Sequence, residues 1–449
     1  MELVFSTVLI LILIFLGMSV PFCFLAGSLL YVFMTGMSTG TFVSTAFYAL
    51  NSTSTLAIPL FMLAGTLIEQ SGIARTLIDL AEIMLRKIKG GMGATIPLVS
   101  CFFGALSGSG TATCTTLATM MSPRLQELGW DKRYLAAFIA ASGPLGYMIP
   151  PNMNAIIYTM VSNASVAALF LATIIPGIIW AGLYMLVNRL VYTKWYTPVI
   201  VDDTFMQKGS KTSAEIAAVV ETKKQPVPKI FAILQAAIPA FLMPVIIMGG
   251  IYGGIFTPTE AGAVSCLYAL IIGFWVFKKL NLKNGFQCFV RTGSSLGTLL
   301  IMFPMTLIFT RLLVTNGVPE MITNLITSIS TNKIIILLII DIVLFIAGFF
   351  LDAGVLLLVF PPLLIPTAAM IGVTEVQLGV IMFVAVGVGT ITPPMAMNLF
   401  ITGKICDVSV KDMIRPLVPF LAVGVLILLL VTYVPEASLF LPRLIMGTV

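Results

Sequence analysis

The sequence contains no histidine among its 449 residues. This absence excludes Ser-His and Cys-His catalysis and removes the commonest protein ligand for zinc. The six cysteines form no C-x-x-C pair, and we interpret them as small apolar packing residues rather than redox groups. No G-x-x-x-x-G-K-[ST] motif occurs, so the chain carries no P-loop of its own. We therefore predict that the protein is not an enzyme.

Charge is also scarce, because only 9% of the residues are Asp, Glu, Lys or Arg. Hydrophobic residues make up 59%, and the mean hydropathy is +1.09. A soluble domain of this size needs more polar surface, so the composition predicts an all-α polytopic membrane protein. The N-terminal stretch "MELVFSTVLILILIFLGMSVPF" has no basic region or small-residue cleavage site, and we expect a retained membrane segment.

An internal repeat emerges when the sequence is shifted by 243 residues. The shift aligns prolines of the two halves in four places, namely Pro123 with Pro366, Pro150 with Pro393, Pro151 with Pro394, and Pro176 with Pro419. Proline accounts for only 25 of the 449 residues, so four coincidences exceed chance. We therefore predict a two-fold internal repeat.

The loops that this shift makes equivalent differ in positive charge. "RKIKGG" (86–91) has three basic residues, but its counterpart near 329–334, "SISTNK", has one. "KKLNLK" (278–283) also has three, but its counterpart "TGMSTG" (35–40) has none. The positive-inside rule places the richer loop of each pair in the cytoplasm. The two halves are then inverted relative to each other, as in many secondary transporters.

Re-entrant hairpins follow from the spacing of the basic loops. "RKIKGG" and "RLQELGWDKR" (124–133) both indicate a cytoplasmic location, yet only about 33 residues separate them. Two helices that each cross the membrane need about 40 residues. A re-entrant hairpin fits, with its tip at "SGSGT" (107–111).

The predicted domains are a first inverted repeat at 1–193 (hairpin about 92–124, broken helix about 133–160), a cytoplasmic linker at 194–229, and a second inverted repeat at 230–449 (hairpin about 333–371, broken helix about 376–402).

The two Pro-Pro pairs predict the helix breaks. They lie in "GYMIPPNMN" (146–154) and "GTITPPMAMN" (389–398), and each pair removes two backbone N–H donors. At membrane depth, irregular backbone is tolerated where protein buries it or where it lines a cavity. The neutral oxygen and amide groups of the tips and breaks suit a hard monovalent cation and a polar substrate. These residues are Ser107, Ser109, Thr111, Asn152, Asn154, Thr392 and Asn398. Asp352 at the second tip is either functional or a helix cap.

The combination of "GALSGSGTA", "GPLGYMIPPNMNAIIY", "GGIYGGIFTPTEAGAV" and "VGTITPPMAMNLFI" resembles the large membrane subunit of tripartite ATP-independent periplasmic (TRAP) transporters. The resemblance covers nearly the whole chain. It implies an elevator-type fold with a scaffold and a transport domain, in the bacterial inner membrane. It also implies Na⁺-driven import of a small organic anion, a small four-helix membrane subunit and a periplasmic substrate-binding protein.

The resemblance further implies two Na⁺ sites and a substrate site between the tips. The first Na⁺ site uses Ser107, Gly108, Ser109, Gly146 and Asn152. The second uses Gly348, Gly389, Thr392 and Met395, mostly through backbone carbonyls. The expected substrate-binding residues are Ser107, Ser109, Thr111, Asn154, Asp352 and Asn398.

Other functions remain open at this point. The main alternative is a standalone ion-coupled organic-anion carrier of an inverted-repeat fold, which would need no binding protein. An ion channel is third, because ring-forming charged residues are missing from the sequence. Carboxylates, sugar acids and sulfonates are all compatible substrates.

Overall fold

The computed structural model describes residues 1–85, 90–196, 230–393 and 396–447. Over these ranges the chain is helical and contains no β-strand, so the predicted all-α membrane fold is confirmed. Most of the predicted linker, part of the first basic loop and Met395 lie outside the described residues.

The described ranges contain 22 α-helices. In chain order they are α1 Glu2–Phe15, α2 Val20–Thr35, α3 Gly40–Leu50, α4 Thr53–Gln70, α5 Ile73–Leu85, α6 Gly91–Ser107, α7 Gly110–Met120, α8 Ser122–Glu127, α9 Lys132–Ser142, α10 Leu145–Met148, α11 Met153–Thr159, α12 Val166–Val191, α13 Ile230–Tyr252, α14 Pro258–Ile271, α15 Leu282–Thr315, α16 Val318–Ile329, α17 Lys333–Phe350, α18 Ala353–Met370, α19 Glu375–Gly389, α20 Met397–Cys406, α21 Val410–Tyr433 and α22 Pro435–Met446.

Six of the described helical segments are long and apolar enough to cross a membrane. They contain α12, α14, α15, α17, α18 and α21, and the bent pair α3–α4 would add a seventh. The helices α17 and α18 form the second predicted hairpin. By length and composition alone both qualify as membrane spans, so the re-entrant form of the second hairpin stays a prediction. The N-terminal apolar stretch is divided into two helices, α1 and α2, rather than one.

The helices of the two halves begin at equivalent positions. The first residues of α6 and α17, α7 and α18, α9 and α19, α11 and α20, and α12 and α21 are separated by 242 to 244 residues. Corresponding helices therefore begin at nearly the same places in the two halves, although their capping residues differ. The inverted orientation of the halves stays a prediction.

The helices that precede the breaks form the centre of the molecule. Every residue from Tyr134 to Ser142 in α9 and from Val376 to Gly389 in α19 is buried. The helix after each break packs against the second limb of the other half's hairpin, because α11 contacts α18 and α20 contacts α7. This exchange brings both hairpin tips and both breaks into one region.

Candidate substrate and cation site

A cavity of about 590 Å³ lies where the two hairpin tips meet. Its volume is within the range of small-molecule sites. The tips, the first turns of α11 and α20, and one face each of α4 and α15 form its wall. All the predicted substrate-binding residues line it, namely Ser107, Ser109, Thr111, Asn154, Asp352 and Asn398.

The first tip is a two-residue turn between α6 and α7. Gly108 has φ +61°, a left-handed conformation that favours glycine, and its N–H donates to the Gly104 carbonyl at 2.7 Å. Ser109 caps α7, since its Oγ accepts a hydrogen bond from the Ala112 N–H at 3.4 Å. The backbone and hydroxyl groups of this turn therefore lie at the cavity wall.

The second tip is the turn between α17 and α18. Asp352 caps α18, because its Oδ1 accepts a hydrogen bond from the Gly354 N–H at 2.9 Å. The Asp352 side chain is exposed and lines the cavity. The carboxylate therefore caps the helix and also lines the cavity, and its functional role stays a prediction.

The first break lies directly against the first tip. A Cβ added to Gly104 would stand 2.6 Å from the Gly146 Cα, and one added to Gly108 would stand 2.8 Å from the Pro151 carbonyl oxygen. Asn152 caps α11, its Oδ1 accepting from the Ala155 N–H at 2.8 Å. The structure thus brings the five residues of the first expected Na⁺ site into one neighbourhood.

The second break repeats this close backbone approach. A Cβ added to Gly389 would stand 2.8 Å from the Gly348 Cα. Thr392 follows Gly389 by less than one turn, and its Oγ1 donates to the Val388 carbonyl at 2.7 Å. The lone pairs of that hydroxyl remain able to accept or to bind a cation. Met395 of this expected site lies outside the described residues.

Two buried asparagines face the cavity at equivalent positions after the breaks. Asn154 is 6% exposed and Asn398 is 1% exposed. Nδ2 of Asn154 and Oδ1 of Asn398 have no hydrogen-bond partner among the described residues. A buried amide without a partner costs about 1–3 kcal/mol, so both groups favour a polar ligand in the cavity.

The cavity also contains charged residues that the sequence reasoning missed. Arg291 on α15 and Glu69 on α4 line it, close to Thr66 and Thr292. Arg291 follows the basic loop at 278–283 by fewer than ten residues, and α15 begins within that loop at Leu282. The sequence therefore gives no local signal that distinguishes Arg291 from an ordinary charge at a membrane border.

The remaining predicted residues lie behind the cavity wall. Gly146, Asn152, Gly348, Gly389 and Thr392 do not line the cavity. They surround the backbone of the two breaks, where proline removes hydrogen-bond donors. The structure therefore separates the expected cation residues from the expected substrate residues, except at the first tip.

The oxygen atoms available as ligands at the breaks fit a monovalent cation. They are neutral hydroxyl, amide and carbonyl oxygens, of the kind that coordinates Na⁺ at discontinuous membrane helices. Within the described ranges, no group of three or more His, Cys, Asp or Glu side chains could hold a metal ion. A transition-metal centre therefore has no support in this part of the chain.

Comparisons with known proteins agree with this architecture. Residues 7–437 match the family described as "Tripartite ATP-independent periplasmic transporter, DctM component". The chain is 33% identical over 395 residues to the isethionate TRAP transporter permease protein DctMQ of Oleidesulfovibrio alaskensis, covering 88% of this chain and 59% of that protein. It is 30% identical over 388 residues to the C4-dicarboxylate TRAP transporter large permease protein DctM of Pseudomonas aeruginosa, covering 86% of each.

A solved structure shares the fold. The crystal structure of the Alcanivorax borkumensis YdaH transporter matches with a TM-score of 0.55 and 15% identity, over 91% of this chain and 90% of that one. At this identity the likeness shows the fold alone. The family match and the multi-pass helical structure lead to one conclusion: the chain belongs to the DctM family, as a large permease component of a TRAP transporter in the bacterial inner membrane.

Proposed function

We propose that this chain imports a small organic anion by coupling its movement to Na⁺. The substrate is a carboxylate or a sulfonate, and a periplasmic binding protein delivers it. A small four-helix membrane subunit completes the transporter. The substrate class follows from two relatives, one named as an isethionate transporter and one as a C4-dicarboxylate transporter.

The observation that carries this proposal is the shared cavity. Two hairpin tips and two helix breaks, more than 200 residues apart in sequence, converge on it. Asn154 and Asn398, each with one unpartnered amide atom, line it from opposite halves of the chain. Convergent polar groups in a concave site favour a bound small molecule over simple helix packing.

Charge balance supports the coupling to a cation. The charged side chains that line the cavity are Glu69, Arg291 and Asp352, which together carry a net charge of −1 when ionised. A monovalent anion would make the net charge of the site −2. Two Na⁺ ions at the breaks would offset that charge, and isolated charges at membrane depth are costly.

The wall of the cavity has two parts that support an elevator movement. The tips and breaks pack on one another through the glycine contacts, while α4 and α15 supply the rest of the wall. A hydrogen bond of 3.1 Å from Thr292 Oγ1 to Thr66 Oγ1 joins α4 to α15. Movement of the hairpin part past the α4–α15 part would carry the cavity between the two membrane faces.

Uptake into proteoliposomes tests the proposal. The vesicles contain this chain with its small membrane subunit, and purified binding protein is added with isethionate or succinate as probe. Uptake should require an inward Na⁺ gradient and should persist without ATP. Loss of uptake on ATP removal, with no effect of collapsing the Na⁺ gradient, would overturn the coupling.

Omitting the binding protein separates the two transporter hypotheses. Free substrate alone should give little uptake if delivery by the binding protein is required. Robust uptake without that protein would favour the standalone carrier instead. A proton gradient that replaces the Na⁺ gradient would overturn the choice of ion but leave secondary transport in place.

A further inference from the structure

Arg291 is the one cationic side chain among the described residues that line the cavity. It lies on α15, nine residues after the first residue of that helix, or roughly 13 Å along the helix axis. The side chain is exposed to the cavity rather than enclosed by protein. A guanidinium at this depth is costly unless an anion or water solvates it.

Arg291 forms no ion pair among the described residues, unlike Arg124 and Arg133. Arg124 lies 2.7 Å from Glu82, and Arg133 lies 2.6 Å from Asp131. No carboxylate of the described residues lies within 4.0 Å of the Arg291 guanidinium nitrogens, and none of these residues forms a hydrogen bond with that group. Its five N–H donors are therefore available to a ligand.

The neighbouring carboxylate is engaged elsewhere. Glu69 lines the cavity on α4, but its Oε1 accepts a hydrogen bond from Thr116 Oγ1 at 3.4 Å. Thr66, one turn before Glu69, is bonded to Thr292, the residue after Arg291. This hydroxyl pair fixes the register of α4 against α15, so it also fixes where the guanidinium stands in the cavity.

We propose that Arg291 binds the anionic group of the transported substrate. A planar guanidinium fits a carboxylate or sulfonate through two parallel N–H···O bonds, which a lysine ammonium cannot reproduce. The unpartnered amides of Asn154 and Asn398 then meet the polar remainder of the molecule. This inference rests on the proposed function for its ligand, but the positive potential that it requires can be measured without transport.

The competing explanation is that Arg291 only marks the cytoplasmic border of the membrane. Under that explanation the charge has no ligand, and replacing it leaves substrate affinity unchanged. Arg311 is the matched control, since it lies on the same helix, bonds to Thr45 Oγ1 at 3.3 Å and does not line the cavity.

Uptake kinetics give the first test, with isethionate and succinate as probes. Arg291→Gln should raise the KM for both anions by roughly ten- to hundredfold, as for a lost hydrogen-bonded charge. Arg291→Lys should recover only part of the affinity, and Arg311→Gln should leave KM unchanged. Half-saturating Na⁺ should stay the same in Arg291→Gln. An unchanged KM in that variant would overturn the assignment.

Charged thiol reagents give the second test, which does not depend on transport. Ser295 lines the cavity one helical turn after Arg291, so Ser295→Cys is a local reporter. The labelling rates of an anionic and a cationic methanethiosulfonate are compared at this cysteine, with Arg291 present and with Arg291→Gln. Adding Arg291→Gln should slow the anionic reagent and speed the cationic one, so that the ratio of the two rates falls by roughly tenfold. Equal rates with and without Arg291 would overturn the inference even if transport is Na⁺-coupled.

Discussion

Gly348 and Gly389 lie in backbone contact, because a Cβ added to Gly389 would stand 2.8 Å from the Gly348 Cα. Gly104 and Gly146 make the same contact in the first half, where the added Cβ of Gly104 would stand 2.6 Å from the Gly146 Cα. Each pair presses the first limb of a hairpin against the helix before a break. These two contacts hold the tips beside the breaks, and through them the cavity keeps its shape.

Replacing Gly389 tests this contact. Gly389→Ala forces backbone apart rather than a movable side chain, so we expect a loss of about 1–3 kcal/mol of stability. Thermal unfolding of the purified protein in detergent measures it, with and without NaCl. Gly182→Ala is the control, since nothing lies within 4 Å of its added Cβ in α12. A stability for Gly389→Ala equal to that of the control would contradict the tight contact.

The Thr392 hydroxyl should contribute to cation binding. Thr392→Val keeps the shape and removes only the hydroxyl, which donates to the Val388 carbonyl. A lost ligand of this kind is worth about 1–3 kcal/mol, which predicts roughly a five- to hundredfold rise in half-saturating Na⁺. Na⁺ titration of uptake measures the change, with protein level little altered.

A matched variant separates the cation from the local hydrogen bond. Thr327 Oγ1 also bonds to the carbonyl four residues earlier, at 2.9 Å from Thr323, but it lies in α16 away from the cavity. Thr327→Val should leave half-saturating Na⁺ unchanged. If Thr392→Val instead raised only the substrate requirement, Thr392 would belong to the substrate site.

The paired asparagines should act on the substrate. Asn154→Leu and Asn398→Leu remove the unpartnered polar atoms while keeping the volume, and each should raise the substrate KM by roughly tenfold or more. Asn324→Leu on the exposed side of α16 is the control and should have no effect. Kinetics with the binding protein at saturation provide the measurement. A change confined to half-saturating Na⁺ would move these residues to the cation sites.

The topology of the first hairpin can be tested by labelling. Position 88 and a position near 130 should both be accessible only from the cytoplasm, because two basic loops flank the hairpin. Trp130 is 5% exposed and stacks on Tyr134, so Leu128, which is 41% exposed, is the better reporter. Single cysteines are labelled in intact cells and in inverted vesicles. Labelling of the two positions from opposite faces would refute the inverted arrangement of the halves.

Much of the fold depends on local chemistry that is visible in the sequence. The excess of apolar residues requires a membrane environment, and proline stops helices wherever it removes a hydrogen-bond donor. The helix at Gly389 therefore ends just before Pro393 and resumes at Met397, and the tip at Gly108 uses the one residue type that adopts its φ freely. These features need only a few neighbouring residues.

The site required the tertiary structure. The substrate residues at the tips and breaks could be proposed because each sits beside a local break signal. Arg291 and Glu69 carry no such signal, since a charge near a segment border is ordinary at a membrane surface. They face the tips because α4 packs against α15, where Thr66 and Thr292 are hydrogen-bonded although 226 residues apart. Contacts over that separation depend on how whole helices pack, so the sequence alone determined where the chain breaks and the packed structure decided what the breaks face.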